Sequence, residues 1–87
     1  MPCYIISHEV MKDREYEPFR QAIKAYGTWA RITYSTWAVV TDESAKQVRD
    51  NLLKHLGSDD RLFVVKSGVE SAWHNVRCKN EWLKKNL

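Results

Sequence analysis

Eighty-seven residues with 44% hydrophobic, 29% charged and 11% aromatic side chains can bury one core, which excludes both a disordered polyelectrolyte and an array of domains. The formal net charge of +3 and pI near 9.0 permit an anionic partner without demanding one. The two cysteines, Cys3 and Cys78, stand at opposite ends of the chain with neither zinc-ligand spacing nor a disulfide framework, so buried or partly buried free thiols are expected.

From Cys3 to Val10 the chain is β-rich, and both alternating sets, Tyr4 with Ile6 and Cys3 with Ile5, are apolar. That is the pattern of a central strand covered on both faces. The charged stretch from Met11 to Pro18 reads as a loop leading into a helix, where the missing amide hydrogen of Pro18 costs no bond. Tyr16, Phe19, Ile23 and Tyr26 recur at helical spacing up to Gly27, which predicts a helix from near Tyr16 to a left-handed stop. Residues Trp29 to Thr41 are aromatic and β-branched without a helix start. Ser35 and Thr36 divide them into two short strands, a hairpin or a bent pair.

Ser44 and Gln47 form a capping-box pattern, and Ala45, Val48, Leu52 and Leu56 share one face until Gly57; this predicts a second helix. Leu62-Phe63-Val64-Val65 is a continuous apolar run of strand length, expected to be a second buried central strand. Beyond Ser67 and Gly68, residues 71–76 (SAWHNV) read as an edge strand, and Asn80 as the cap of a short terminal helix.

This β-α-β-β-α-β order is the ferredoxin-like plan of the α+β class, with a single domain over residues 1–87. An antiparallel four-stranded sheet is expected with both helices on one face, because two helices cannot cover two faces. The other face then needs a cover. If Trp29, Arg31 and Thr33, or the opposite set Ala30, Ile32 and Tyr34, point to it, an exposed aromatic patch favours dimerisation. No apolar run approaches the length of a membrane span, so no membrane partner is expected. The opening residues lack the pattern of a secretion signal, so cytoplasmic residence is the expectation.

His8 and Glu9 sit at the carboxyl end of the predicted first strand, where side chains converge on ligands. A lone carboxylate holds magnesium weakly, since that ion takes one or two carboxylates together with phosphate oxygens. A two-fold axis bringing two copies of Glu9 together would supply the pair needed to activate water against a phosphodiester; the other reading is a solvated carboxylate at a strand end. His8 is suited either to a structural hydrogen bond or to proton transfer. Arg31, beside Trp29 and Tyr34, mixes guanidinium and aromatic surface that can hold phosphate and stack on bases, or else protects an edge strand. Lys12 and Arg14 in the first loop are candidate phosphate contacts. His55 and His74 read as surface residues. No Ser-His-Asp order, phosphate loop or nucleotide fingerprint occurs, which disfavours acyl transfer and nucleotide-driven work.

Two runs, Ile5-Ile6-Ser7-His8-Glu9-Val10 and Arg31-Ile32-Thr33-Tyr34-Ser35-Thr36-Trp37, together resemble the small CRISPR-associated nuclease family that partners the spacer integrase. The virulence-associated protein D ribonucleases share its fold and dimer. The likeness spans residues 3 to 66. It implies a homodimer, Mg2+ or Mn2+ bound between two strand-end acids, and endonucleolytic hydrolysis of RNA or DNA. Glu9 would be the metal ligand, Arg31 a phosphate or transition-state contact, and Ser35 and Trp37 would shape the site and the interface, with Trp37 also facing nucleic acid. An integrase-type or antitoxin protein is the implied partner. The sequence departs from the family at two places, with Glu9 where the family has aspartate and His8 where it has tyrosine. Shifts of about 1 Å in a catalytic group cost on the order of a hundredfold in rate. A catalytically silent dimer of the same fold that binds nucleic acid or serves as a scaffold is the alternative, and a toxin-type ribonuclease a further one.

Overall fold

The computed structural model describes residues 1–9 and 16–87, so the expected contacts at Lys12 and Arg14 lie outside the described residues. The elements are β1 (Cys3–Glu9), α1 (Glu17–Lys24), β2 (Trp29–Thr33), β3 (Thr36–Val40), α2 (Ala45–Leu53), β4 (Arg61–Lys66) and α3 (Asn80–Asn86). The sheet order is β2-β3-β1-β4, with every neighbouring pair antiparallel. This is the ferredoxin-like arrangement expected from the sequence, with β1 central.

Local chemistry accounts for the helices. In α1, Pro18 occupies the first turn, where no amide hydrogen is needed, and Arg20 ion-pairs back to Glu17 at 2.7 Å. Gly27 takes φ 88, the left-handed turn that lets the chain leave for β2. At the start of α2 the Ser44 amide donates to Gln47 Oε1 at 2.8 Å and the Gln47 amide donates to Ser44 Oγ at 3.2 Å. Both halves of the capping box are therefore made. The regular helix stops at Leu53, short of Leu56, because the amides of His55 and Leu56 bond three residues back, to Leu52 and Leu53. Leu56 still packs against the core.

Both helices lie on one face. Tyr4 and Ile6 of β1, Trp37 and Val39 of β3, Phe19 and Ile23 of α1, and Val48 and Leu52 of α2 form the principal cluster. The register supports it, since Ile6 faces both Trp37 and Val64 and Tyr4 faces Val39. Each fully buried apolar side chain of this size contributes about 1.5–3 kcal/mol. The hairpin turn falls at Tyr34 and Ser35, one residue earlier than the expected division.

Two expectations are corrected. β4 is an edge strand, not a second buried central one. Leu62 and Val64 pack on the core, whereas Phe63 is 62% and Val65 42% exposed, because their side of the strand is left uncovered. Residues 71–76 form no strand. In that segment Asn75 takes φ 54, a left-handed conformation incompatible with continuous extension.

The tail instead supplies part of the cover that the second face needed, leaving the β4 side open. Ser67 donates to the Cys3 carbonyl at 2.8 Å, and Arg77 donates to the Ile32 carbonyl at 2.9 Å, so the chain passes from the β4 side of the sheet to the β2 edge. The helix face is already filled, which leaves the second face as the route. Cys3, Ala30 and Ala38 are buried on that face, and Leu83 of α3 is buried too, all four outside the principal cluster. Alanines at two adjacent positions, paired across β2 and β3, permit close approach of the tail. Asn80 is the first residue of α3 rather than its cap, and its side chain accepts from Trp73 Nε1 at 3.0 Å. Among the described residues, no helix is long and apolar enough to cross a membrane.

Candidate nucleic-acid interface

The fold gathers the expected site residues into two neighbouring groups. At one end of the sheet the His8 amide donates to the Ser35 carbonyl at 3.0 Å, joining the end of β1 to the β2–β3 turn. Glu9 lies opposite Arg61 in the β1–β4 register and forms an ion pair with it. Both side chains are largely exposed, at 59% and 69%. The His8 ring packs on Phe19 with centroids 4.8 Å apart, and its Nδ1 is enclosed without a hydrogen-bond partner. Burial, followed by the charge of Arg31, lowers the His8 pKa below the usual imidazole value, and the Ser35 backbone works in the opposite sense. These facts describe a neutral, packed imidazole.

The second group stands on β2 and β3. Arg31 pairs with Trp37 across the hairpin, and its guanidinium lies 4.9 Å from the Trp37 ring and 4.8 Å from the Tyr34 ring. Its Nε and Nη2 donate to the Tyr34 carbonyl at 3.1 and 2.8 Å, which fixes the plane of the fork. Two of the five guanidinium N–H groups suffice for these bonds. Trp37 is almost completely buried at 1%. It therefore acts as a platform beneath Arg31 rather than as an exposed stacking surface. Trp29 packs against Trp37 at 5.7 Å, and the Lys24 ammonium lies 5.2 Å from the Trp29 ring.

This group forms one wall of a cleft of about 420 Å³ along the β2 edge, within the usual range for a small-ligand site. The cations Lys24, Arg31, Arg77 and Lys79 and the indoles of Trp29, Trp37 and Trp82 line it, with Ala30 and Cys78. No carboxylate is among these lining residues. Arg31 feels the consequence, since burial first and the charge of Arg77 second lower its pKa. Two guanidinium groups near each other, with no carboxylate among the lining residues, suit an anion.

Sequence reasoning found Arg31 and Trp37 but missed Lys24, Arg77, Lys79 and Trp82. The signal available was the basic run Arg77-Cys78-Lys79 close to Trp82, which acquires meaning only once the tail is known to reach the β2 edge. His55 and His74 are exposed, as expected, and both cysteines are free thiols, Cys3 buried and Cys78 partly so.

The residues present test the implied metal. Glu9 is a single carboxylate already neutralised by Arg61, and the described residues contain no group of three or more His, Cys, Asp or Glu side chains able to hold an ion. One chain's described residues thus offer a divalent cation no complete ligand set at this end of the sheet, and a second copy would have to complete it. Comparison with models of known families, with curated proteins and with solved structures finds no match.

Proposed function

We propose that this protein binds nucleic acid through the basic, tryptophan-lined cleft at the β2 edge. The observation that carries the reading is the lining itself: four cations, three indoles and, among the described residues, no carboxylate around one concavity. Guanidinium and ammonium groups neutralise phosphates, while aromatic rings accept bases regardless of sequence. Arg31, 4.9 Å from the Trp37 ring and tethered to the Tyr34 carbonyl, is the pre-oriented phosphate contact. The homodimer expected from the sequence belongs to this proposal, and the uncovered side of β4 with Phe63 and Val65 supports it as the place for a second copy.

Hydrolysis is the second reading. It rests on the backbone proximity of His8, Glu9 and Ser35 at one end of the sheet, and it requires Glu9 from two chains with Mg2+ or Mn2+. One assay addresses both readings. Labelled single-stranded RNA and duplex DNA are incubated with the protein, with Arg31→Ala and with Glu9→Ala, in magnesium and in chelator. Binding that Arg31→Ala weakens and Glu9→Ala spares is the expected result, and its absence removes the binding reading. Metal-dependent cleavage abolished by Glu9→Ala establishes the enzyme, whereas equal background from both proteins removes it.

A further inference from the structure

Resting on the binding reading, we infer that the cleft holds one unpaired nucleotide, its base among the indoles and its phosphate between Arg31 and the tail's Arg77. The argument is one of shape as well as charge. One side of this open concavity is built by the tail, which fastens to β2 through the Arg77 amide at 2.9 Å from the Ile32 carbonyl. A duplex offers only phosphates and groove edges to such a recess, because its bases are stacked and paired. An unpaired nucleotide offers a flat ring and a phosphate from one unit. The volume of about 420 Å³ lies near the lower end of small-ligand sites, so it suits one residue of a strand and not several.

The two kinds of lining group are both contributed from either side. Trp29 and Arg31 come from β2, and Trp82 and Arg77 from the tail and α3. Both segments therefore bring a ring and a charge to the same space, the groups needed to hold a base and its phosphate together. A strand and a free nucleotide carry the same chemistry, and the experiment separates them.

Three of the chain's four tryptophans line the cleft, so intrinsic fluorescence reports its occupancy. The protein is titrated with a short oligouridylate, with a blunt duplex of equal length, with UMP and with inorganic phosphate at constant ionic strength. Anisotropy of the labelled strand measures Arg77→Ala and Trp82→Leu. We expect quenching by the strand, affinity for the duplex weaker by about tenfold or more, and a loss of about tenfold for the strand with Trp82→Leu. Arg77 is exposed, so its substitution leaves the fold intact and keeps the test sound if Trp82→Leu proves unstable.

Duplex binding equal to that of the strand overturns the inference while leaving the binding function standing. Strand affinity unchanged in both variants does the same. Quenching by UMP as strong as by the strand supports the nucleotide pocket and assigns it to a free nucleotide. Quenching by phosphate alone to the same extent overturns it, and no binding by either polymer or by UMP overturns both readings.

Discussion

The guanidinium of Arg31 lies 4.9 Å from the ring of Trp37, its cross-strand partner in the β2–β3 hairpin. A planar cation on a buried ring is held by quadrupole attraction of about 0.5–1 kcal/mol, and by more when solvent is excluded. Replacement by lysine keeps the charge but loses the planar fork and its bonds to the Tyr34 carbonyl. Arg31→Lys is therefore expected to bind oligonucleotides with an affinity between those of the native protein and Arg31→Ala. Equilibrium anisotropy measures the order of the three.

Tyr26 ties the end of α1 to α2. Its hydroxyl donates to Glu43 Oε1 at 2.8 Å and accepts from Asn51 Nδ2 at 3.1 Å. Tyr26→Phe is expected to lower stability by about 0.5–1.5 kcal/mol, the range for a typical intramolecular hydrogen bond, in urea denaturation. Burial first, and then the bond to Glu43, push the Tyr26 pKa up to about 12. The unfolded phenol ionises near pH 10, so this contribution is complete below pH 10 and is lost as pH rises toward 12. Ultraviolet titration should show one tyrosine ionising late, and that late step should vanish in Tyr26→Phe.

His8 makes stability sensitive to acid. Its folded-state pKa lies below its ordinary value of 6.5, through burial and the charge of Arg31. The unfolded chain binds the proton first, so stability is fully present above about pH 6.5 and falls as pH drops below it. His8→Gln removes this titration, and its denaturation midpoint should vary less between pH 7 and 5 than that of the native protein. An unchanged pH profile would remove His8 as the source.

The sequence carried some of this architecture in plain form and hid the rest for physical reasons. Alternation in Cys3–Glu9, the capping box at Ser44 and the spacing of Phe19 and Ile23 are local signals, and each became the expected element. The run Leu62-Phe63-Val64-Val65 misled because an apolar strand looks the same whether or not both faces are covered. Only the sheet order reveals that Phe63 and Val65 stay in solvent. Arg31 and Trp37 were each legible as candidates, and the hairpin that the sequence predicts is what brings them into register. Lys24 and Arg77 were not, since their meeting depends on the path of the tail across the sheet. Residues 71–76 read as a strand by composition, yet the backbone turns at Asn75.

The Glu9–Arg61 pair is exposed on both sides, and such pairs contribute about 0.2–1 kcal/mol at most. Glu9→Gln is expected to change the urea midpoint little and to leave oligonucleotide binding intact, because Glu9 does not line the cleft. A large loss of binding in Glu9→Gln would relocate the interface to the sheet end.

Salt dependence of oligonucleotide affinity probes the four lining cations directly. If Arg31 and Arg77 share the phosphate of the bound nucleotide while Lys24 and Lys79 each meet a flanking phosphate of the strand, the logarithm of affinity for single-stranded RNA falls with the logarithm of salt concentration at a slope of about −2. Arg77→Ala should make that slope shallower. A slope near zero, or one that Arg77→Ala leaves untouched, would contradict the cleft as the seat of binding.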